Sequence, residues 1–544
     1  MRSNASRGWL FGPLPDLLFG CGLIYAGFFV AQTLAGPQMR GWISLEFQPL
    51  LALLLGAPHY GATLLRIFER PEDRHRYQTF AIAVSVAAAA AFVLGLHWHV
   101  FGSLLVTLYL SWSPWHYSGQ NYGVAVMFLR RRGVAVTPGI RRPLHASFVL
   151  SFLLVLVGLH GVGSDALYSS APEGGVAFRF VAIGVPFANQ VFAGLAVAWA
   201  AVLGVAGARL LRVASPGQLL PTALLVLMQA LWFAIPAIAR RWGVFSDVEP
   251  FQKGEFQAYA FMWIASGHFL QYLWITCFYA AAGTQATARR HARFLAKAML
   301  AGTAIWVVPK LLFAPGLLGR LPYDFGLALL TASVVNLHHF ILDGAIWKMR
   351  DGPVARILLR EVPETLPLPE AIGPGKRWGL RAAALAGVLL FLVALGANLE
   401  KLAYRRAVHS EDAARALSAV ERLRSVGRES PLHQIRIART KLRGGDAAGA
   451  QAALERSIRL HPTPRAWALL GRVHESTSAN SPAEQAYRRA LALDPGNADA
   501  LFGAIRVVIR QGRDVDARAL LGEALRLHPK DPRGPALRRE LAGA

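Results

Sequence analysis

The chain has 544 residues, 54% of them hydrophobic and 16% charged, with a formal net charge of +25. So apolar a composition excludes an ordinary soluble globular chain. Its two cysteines, Cys21 and Cys277, each lie inside an apolar run and exclude a disulfide framework, a zinc ribbon and a haem-attachment motif.

A bilayer core takes about 20 apolar residues per helix, and on that measure about eleven segments qualify. They lie near 14-34, 47-67, 77-96, 100-128, 145-164, 178-208, 219-239, 256-281, 294-314, 325-347 and 379-398. Arg2 and Arg7 precede the first, which is of spanning length and lacks a small-residue cleavage site, so it reads as a retained helix. Positive loops tend to stay on the cytoplasmic side. Arg70, Arg74 and Arg76 follow the second segment, and Arg130, Arg131, Arg132, Arg141 and Arg142 the fourth. Arg209 and Arg212 follow the sixth, Arg289, Arg290 and Arg293 the eighth, and Lys348, Arg350, Arg356, Arg360, Lys376 and Arg377 the tenth. With eleven spans these loops share one side. That distribution explains the basic residues better than a nucleic-acid footprint does. The expected protein is integral to a bacterial inner membrane, with residues 1-398 forming a transmembrane helical domain, its N-terminus cytoplasmic and the chain beyond it extracytoplasmic.

From residue 399 to 544 the composition turns to Ala, Arg, Leu and Glu, and Pro462, Pro495 and Pro529 recur at the period of helical repeats. Trp467, Leu470 and Gly471 form W-x-x-L-G, followed in register by Ala483, Tyr487, Ala490 and Pro495. This region resembles a tetratricopeptide-repeat array. His474 stands where that family usually has Tyr. The next repeat keeps Ala517, Leu521, Ala524 and Pro529 but has Leu501, Ala504 and Ile505 at the W, L and G positions. The preceding unit keeps Ala450 and Leu454. The resemblance implies an all-α solenoid that binds a protein or peptide partner.

Ionisable side chains are costly in hydrocarbon and mark functional sites there. His59, His116, His268 and the pair His338 and His339 fall at one depth on the second, fourth, eighth and tenth segments, with Asp343 four residues beyond His339. Imidazole suits iron, zinc and copper, and several neutral histidines beside a carboxylate make a metal site, for which iron is the expected ion. Neighbours on a helix differ by about 100°, so one of His338 and His339 faces a common centre. Gln120 and Gln271 are polar companions of His116 and His268, and Trp112, Trp115, Tyr117 and Tyr272 are candidate pocket walls. The competing readings are interhelical hydrogen bonding, a proton or quinone pathway, and bis-histidine haem ligation, which would use only two of the histidines.

Gly56-Ala57-Pro58-His59 resembles the Pro-His segment of the Brp/Blh carotene dioxygenase-type membrane proteins, which implies iron held by histidines on several helices and oxidation of a lipophilic substrate. Thr63 and Leu64 stand where that family has an acid. Three functions follow as expectations: a metal-dependent membrane oxidoreductase or oxygenase, a membrane-anchored repeat scaffold for envelope partners, and a lipid-linked-sugar glycosyltransferase. The last needs acids in the first extracytoplasmic loop, and Gly36 to Glu46 offers only Glu46. Arg240, Arg241, Asp247 and Glu249 form a further polar patch, read as a solvated loop.

Overall fold

The computed structural model describes residues 8–35, 47–161, 177–244, 261–282, 287–315, 317–348, 352–359, 374–410 and 412–543. Among these residues the named elements are all helices. They divide into two compact units, one of residues 8–161, 180–309 and 330–398, the other of 177–179, 310–329 and 399–543.

In the first unit, α1 is Leu23–Ala35, α2 Ala57–Phe68, α3 Pro71–His97, α4 His99–Arg131 and α5 Pro138–Gly161. Next come α6 Ala188–Val213, α7 Pro216–Gln229, α8 Ile235–Trp242, α9 Phe261–Ala281, α10 Ala288–Leu312, α11 Leu327–Ile346, α12 Gly352–Leu359 and α13 Pro374–His409, of which residues 310–312, 327–329 and 399–409 fall in the second unit. Among the described residues, eight spans are long and apolar enough to cross a membrane, and a ninth is formed if Pro13–Gly20 and α1, bent by 61°, are taken together. Two further long helices, α4 and α9, fall outside that set, and they are the ones that carry His116, Gln120 and Asn121 and His268 and Gln271. The sequence segment 178-208 is only partly helical: residues 178–187 are non-helical, Phe187 has φ 53°, and α6 starts at Ala188.

Burial sorts the helices. The α3 and α6 spans bury 17% of their most apolar stretch and α10 and α13 22%, while the spans containing α2, α7 with α8, and α11 bury 61, 61 and 67%. The outer helices therefore leave residues such as Ile82, Val86, Val197 and Leu385 exposed. Contiguous apolar surface of that kind is costly in water and costs nothing in hydrocarbon.

Two inner helices are shaped by proline. Ala57 N–H bonds to the Ala52 carbonyl, and Ile235 N–H to that of Ala230, each an i to i+5 turn directly before Pro58 or Pro236. Proline has no N–H and its ring collides with the carbonyl four residues back, so one widened turn lets the helix continue. Beyond Pro58, α2 meets α10 through small residues: Ala57 and Gly61 face Ala298 and Gly302. A Cβ on Gly61 would fall on the Ala298 carbonyl, and one on Gly302 on the Ala57 carbonyl. This is the small-x-x-x-small contact by which membrane helices approach most closely.

Loop arginines hold backbone carbonyls. Arg131 donates to Trp9 O at 2.9 Å and Leu358 O at 2.8 Å, Arg132 to Gly217 O at 2.8 Å, and Arg70 to Tyr279 O at 2.7 Å and Ala282 O at 2.9 Å. Of the polar patch expected near the seventh segment, Arg241 bonds to Asn189, while Asp247 and Glu249, like the loop Gly36 to Glu46, lie outside the described residues.

In the second unit, α14 is Ala413–Ser425, α15 Pro431–Arg443, α16 Ala447–Leu460, α17 Pro464–Ser476, α18 Asn480–Leu493, α19 Ala498–Arg510, α20 Asp514–Leu527 and α21 Arg533–Gly543. Ser430, Asp446, Thr463 and Asn497 cap the starts of α15, α16, α17 and α19 by accepting backbone N–H groups, and Pro431 and Pro464 occupy the first helical position. The repeat whose W-x-x-L-G positions are lost still forms its first helix, α19, because Leu501, Phe502, Ile505 and Val508 supply the buried face instead. Tyr487 is fully buried, its ring packed where a Cβ on Gly471 or Gly503 would stand, and its hydroxyl donates to Glu475. Residues 310–329, which a division of the sequence at 398 leaves with the membrane domain, belong to this unit. There Lys401 pairs with Asp324 at 3.1 Å, Arg428 lies 4.8 Å above the Tyr323 ring, and Phe325 packs on His461 at 5.0 Å.

Candidate metal centre

Four inner helices converge on one group of imidazoles. His59 enters from α2 one residue after Pro58, His116 from α4, His268 from α9 and His339 from α11. His59 Nε2 and His339 Nε2 are 2.8 Å apart. The His268 ring is centred 4.8 Å from that of His59 and 5.0 Å from that of His116, and the His116 ring 4.9 Å from that of His339. Donor atoms of His59, His268 and His339 all lie within 4.8 Å of one another, and so do those of His116, His339 and Asp343. Nitrogens bound to one tetrahedral ion stand about 3.3 Å apart, given metal–nitrogen bonds of about 2.0–2.1 Å. The closest pair here is within roughly half an ångström of that separation.

Most of these groups are sealed from solvent, with His116 slightly exposed, and several lack partners. His59, His268 and His339 are buried, and both nitrogens of His268, Nδ1 of His59 and Nε2 of His116 have no hydrogen-bond partner among the described residues. Buried polar atoms are ordinarily satisfied. A cation could take one nitrogen from each ring, and His268, with neither nitrogen bonded among the described residues, is the ring it would most clearly satisfy.

Around it lies a supporting layer that orients it. His339 Nδ1 is 2.9 Å from Thr63 Oγ1, which leaves Nε2 facing the centre. Asp343 divides its two oxygens: Oδ1 accepts from Tyr272 OH at 2.7 Å and from Thr63 Oγ1 at 3.2 Å, while Oδ2 lies 3.4 Å from His339 Nε2 and 3.9 Å from His116 Nε2. Trp347 Nε1 donates to Tyr272 OH at 3.2 Å. Such outer partners fix the tautomer and tilt of a ligating ring. One turn further along α2, Arg66 forms a buried pair with Asp73 and lies 3.8 Å above the Tyr279 ring.

His338 is not part of the group. Its Nε2 lies 2.9 Å from Ser85 Oγ on α3, about a quarter-turn away from its neighbour, as the helical angle requires. Gln120 and Gln271 bond to each other at 2.5 Å rather than to imidazoles. Gln271 continues to Asn121 at 3.1 Å, and Asn121 to Gln229 at 3.1 Å, a polar chain that ties α4, α7 and α9 together. Of the aromatic candidates, Tyr117 stacks on His268 at 4.1 Å and Tyr272 touches Asp343. Trp112 packs on Phe340 at 6.3 Å, and Trp115 is an exposed residue against Phe152. Trp347 went unnoticed in the sequence, and Thr63 was marked only as standing where the Brp/Blh family has an acid. Thr63 stands one helical turn beyond His59, and Trp347 four residues beyond Asp343, spacings that place each on its partner's face.

Two family profiles described as tetratricopeptide repeat match residues 435–496 and 482–541. Residues 435–541 are thus a tetratricopeptide-repeat array, which supports a protein-binding role. No curated protein matches the chain, and no homologue supports the Brp/Blh likeness of Gly56 to His59.

Proposed function

We propose that this protein is a multi-pass membrane protein that holds one metal ion among His59, His116, His268 and His339 and carries a protein-binding repeat array. The observation that carries the reading is the convergence of those four imidazoles from four helices, with both nitrogens of His268 buried and unpartnered. Neutral imidazoles suit iron, copper and zinc, and an apolar shell limits the access of solvent to the site. When bound, such an ion supplies Lewis-acid or redox chemistry to a substrate soluble in the bilayer, the reaction class of an oxidoreductase. The chain's own contribution is positional. Thr63 fixes His339, Tyr272 and Thr63 hold one oxygen of Asp343 so that the other is presented to the centre, and the outer helices keep water away.

The membrane reading rests on the apolar outer helices. It takes all eleven segments as spans, including α4 and α9, whose polar residues face inward, with the N-terminus cytoplasmic and the repeats extracytoplasmic. The test is metal analysis by mass spectrometry of the full chain purified in detergent. Wild type is expected to carry one equivalent of iron, zinc or copper. His59→Ala and His268→Ala are expected to lose it, whereas His338→Ala, whose ring bonds to Ser85, keeps it. A well-folded wild type free of metal would sink the reading and leave the 2.8 Å contact of His59 with His339 as an interhelical hydrogen bond in a membrane-anchored repeat scaffold.

A further inference from the structure

Helices α15, α17 and α19 are the first helices of three successive repeats, and arginine recurs on them in register. Arg439, Arg472 and Arg506 follow one another at intervals of 33 and 34 residues. On α15, Arg436, Arg439 and Arg443 occupy one side, at spacings of three and four residues, and all three are exposed, as is Arg472 on α17. Elsewhere in the array, several arginines are matched with acids: Arg506 with Glu475 at 2.9 Å, Arg488 with Glu484 at 2.6 Å, and Arg533 with Asp531 at 2.8 Å. Arg439, Arg443 and Arg472 have no acidic side chain within ion-pair distance among the described residues. Partial burial, with Arg472, Arg436 and Arg443 near and Asp499 the opposing charge, pulls Arg439 below the ordinary guanidinium range. The strip is thus a concentration of like charge in register on the first helices of successive repeats.

We propose that the strip formed by Arg436, Arg439, Arg443 and Arg472 docks an acidic, extended segment of a partner protein. This rests on the reading of the array as protein-binding and names the chemistry of what it binds. Guanidinium groups take carboxylates in a bidentate fork. Packed helices stand about 8–10 Å apart, and an extended chain advances about 3.3 Å per residue. Carboxylates about three residues apart on the partner therefore meet arginines of successive repeats. A nucleic acid fits less well. The described exposed side chains of α15 and α17 include no aromatic group for bases to stack on, and the exposed Asp499 lies beside the strip, where a phosphate backbone would be repelled. A mixed acidic peptide can place a basic residue there.

The experiment titrates the full chain in detergent, at low and at physiological salt, with three fluorescent probes: a peptide with glutamate at every third position, its glutamine counterpart, and a single-stranded oligonucleotide of equal charge. The acidic peptide is expected to bind best, with a salt dependence. Combined Arg439→Gln and Arg472→Gln should weaken it at least ~10-fold. Arg488→Gln, on the second helix of a repeat, should leave it unchanged, and the circular dichroism of both variants should match wild type. Combined Arg439→Lys and Arg472→Lys should fall between, since lysine keeps the charge and loses the fork. Tighter binding of the oligonucleotide, or equal binding by the double variant, would overturn the proposal. If the glutamine peptide binds and the acidic one does not, the acidic partner is wrong while protein binding stands; if neither peptide binds, both fail.

Discussion

The two units solve the same problem, burying the faces of many helices, with opposite distributions of polarity. In the array the interior is small and apolar, with Ala450, Ala483, Ala490, Ala500 and Ala517 fully buried, and charge lies outside. In the bundle the outer helices present Val86, Val197 and Leu385 outward, while His59, Asn121, Gln229, His268, Gln271 and His339 are buried. On the proposed membrane reading, the difference follows from the solvent around each unit. Water rewards apolar burial, whereas hydrocarbon gives no such reward, so helices in it must be joined by close backbone approach and by shared hydrogen bonds. A buried polar group in the array is an exception to be satisfied locally; in the bundle such groups are the means of assembly, and a surplus of unsatisfied ones marks the site.

Substitutions can strain this contrast from either side. The largest effect is expected at the helix contact. Gly61→Leu would drive a side chain into the Ala298 carbonyl, with no room to relax, and should prevent the bundle from assembling, read as loss of the monodisperse peak in detergent chromatography. A normal elution profile with wild-type metal content would mean that the bundle does not depend on close backbone approach. In the array, Tyr487→Ala removes a fully buried ring from between two glycines and should cost about 3–5 kcal/mol, measured as loss of hydrogen-exchange protection across residues 464–510 of the full chain.

A smaller effect comes from acid. His433 is buried against the Tyr404 ring, and burial pushes its imidazole down to about 4 despite the neighbouring Asp324 and Glu429. The unfolded chain, with an ordinary value of about 6.5, therefore binds the proton more readily. Its contribution to stability is present above that value and is lost as pH falls toward the folded one, amounting to roughly 3 kcal/mol. Exchange protection of α15, corrected for intrinsic rates, should decline between those limits in wild type and decline less in His433→Gln; identical profiles would refute the assignment. The smallest change tests the outer layer of the centre. Thr63→Val keeps the shape, frees His339 Nδ1, and should weaken metal binding roughly 10–100-fold without unfolding the protein.

Much of this organisation was legible in the sequence. Length and apolarity located the helices, and W-x-x-L-G with its following alanines located the repeats, because each signal is local and periodic. The common depth of His59, His116, His268 and His339 was readable for the same reason. What was not readable was azimuth between helices. The sequence left open which of His338 and His339 turned inward, sent Gln120 and Gln271 to imidazoles they do not touch, and gave Trp115 a wall it does not line. Those questions are decided by which helices are neighbours, and hydropathy carries no record of that. The start of α6 at Ala188 rather than near 178 was hidden because Phe178, Phe180 and Val181 are as apolar as the helix that follows. Gly61 and Gly302 looked like unremarkable small residues until each was seen against the other's backbone.

The widened turn before Pro58 means that α2 and the helix leading into it do not share one reading frame. An extra residue in a single turn rotates everything after it by about 100° relative to what an unbroken helix would present. Upstream of the turn Leu54 is exposed, and downstream of it His59 is sealed in the interior. Like a frameshift, such an offset can be cancelled by its opposite. Replacing Pro58 alone, so that the turn closes to a regular one, should swing the upstream face about 100° away from its present surroundings, and deleting one residue between Ala52 and Gly56 as well should bring it back.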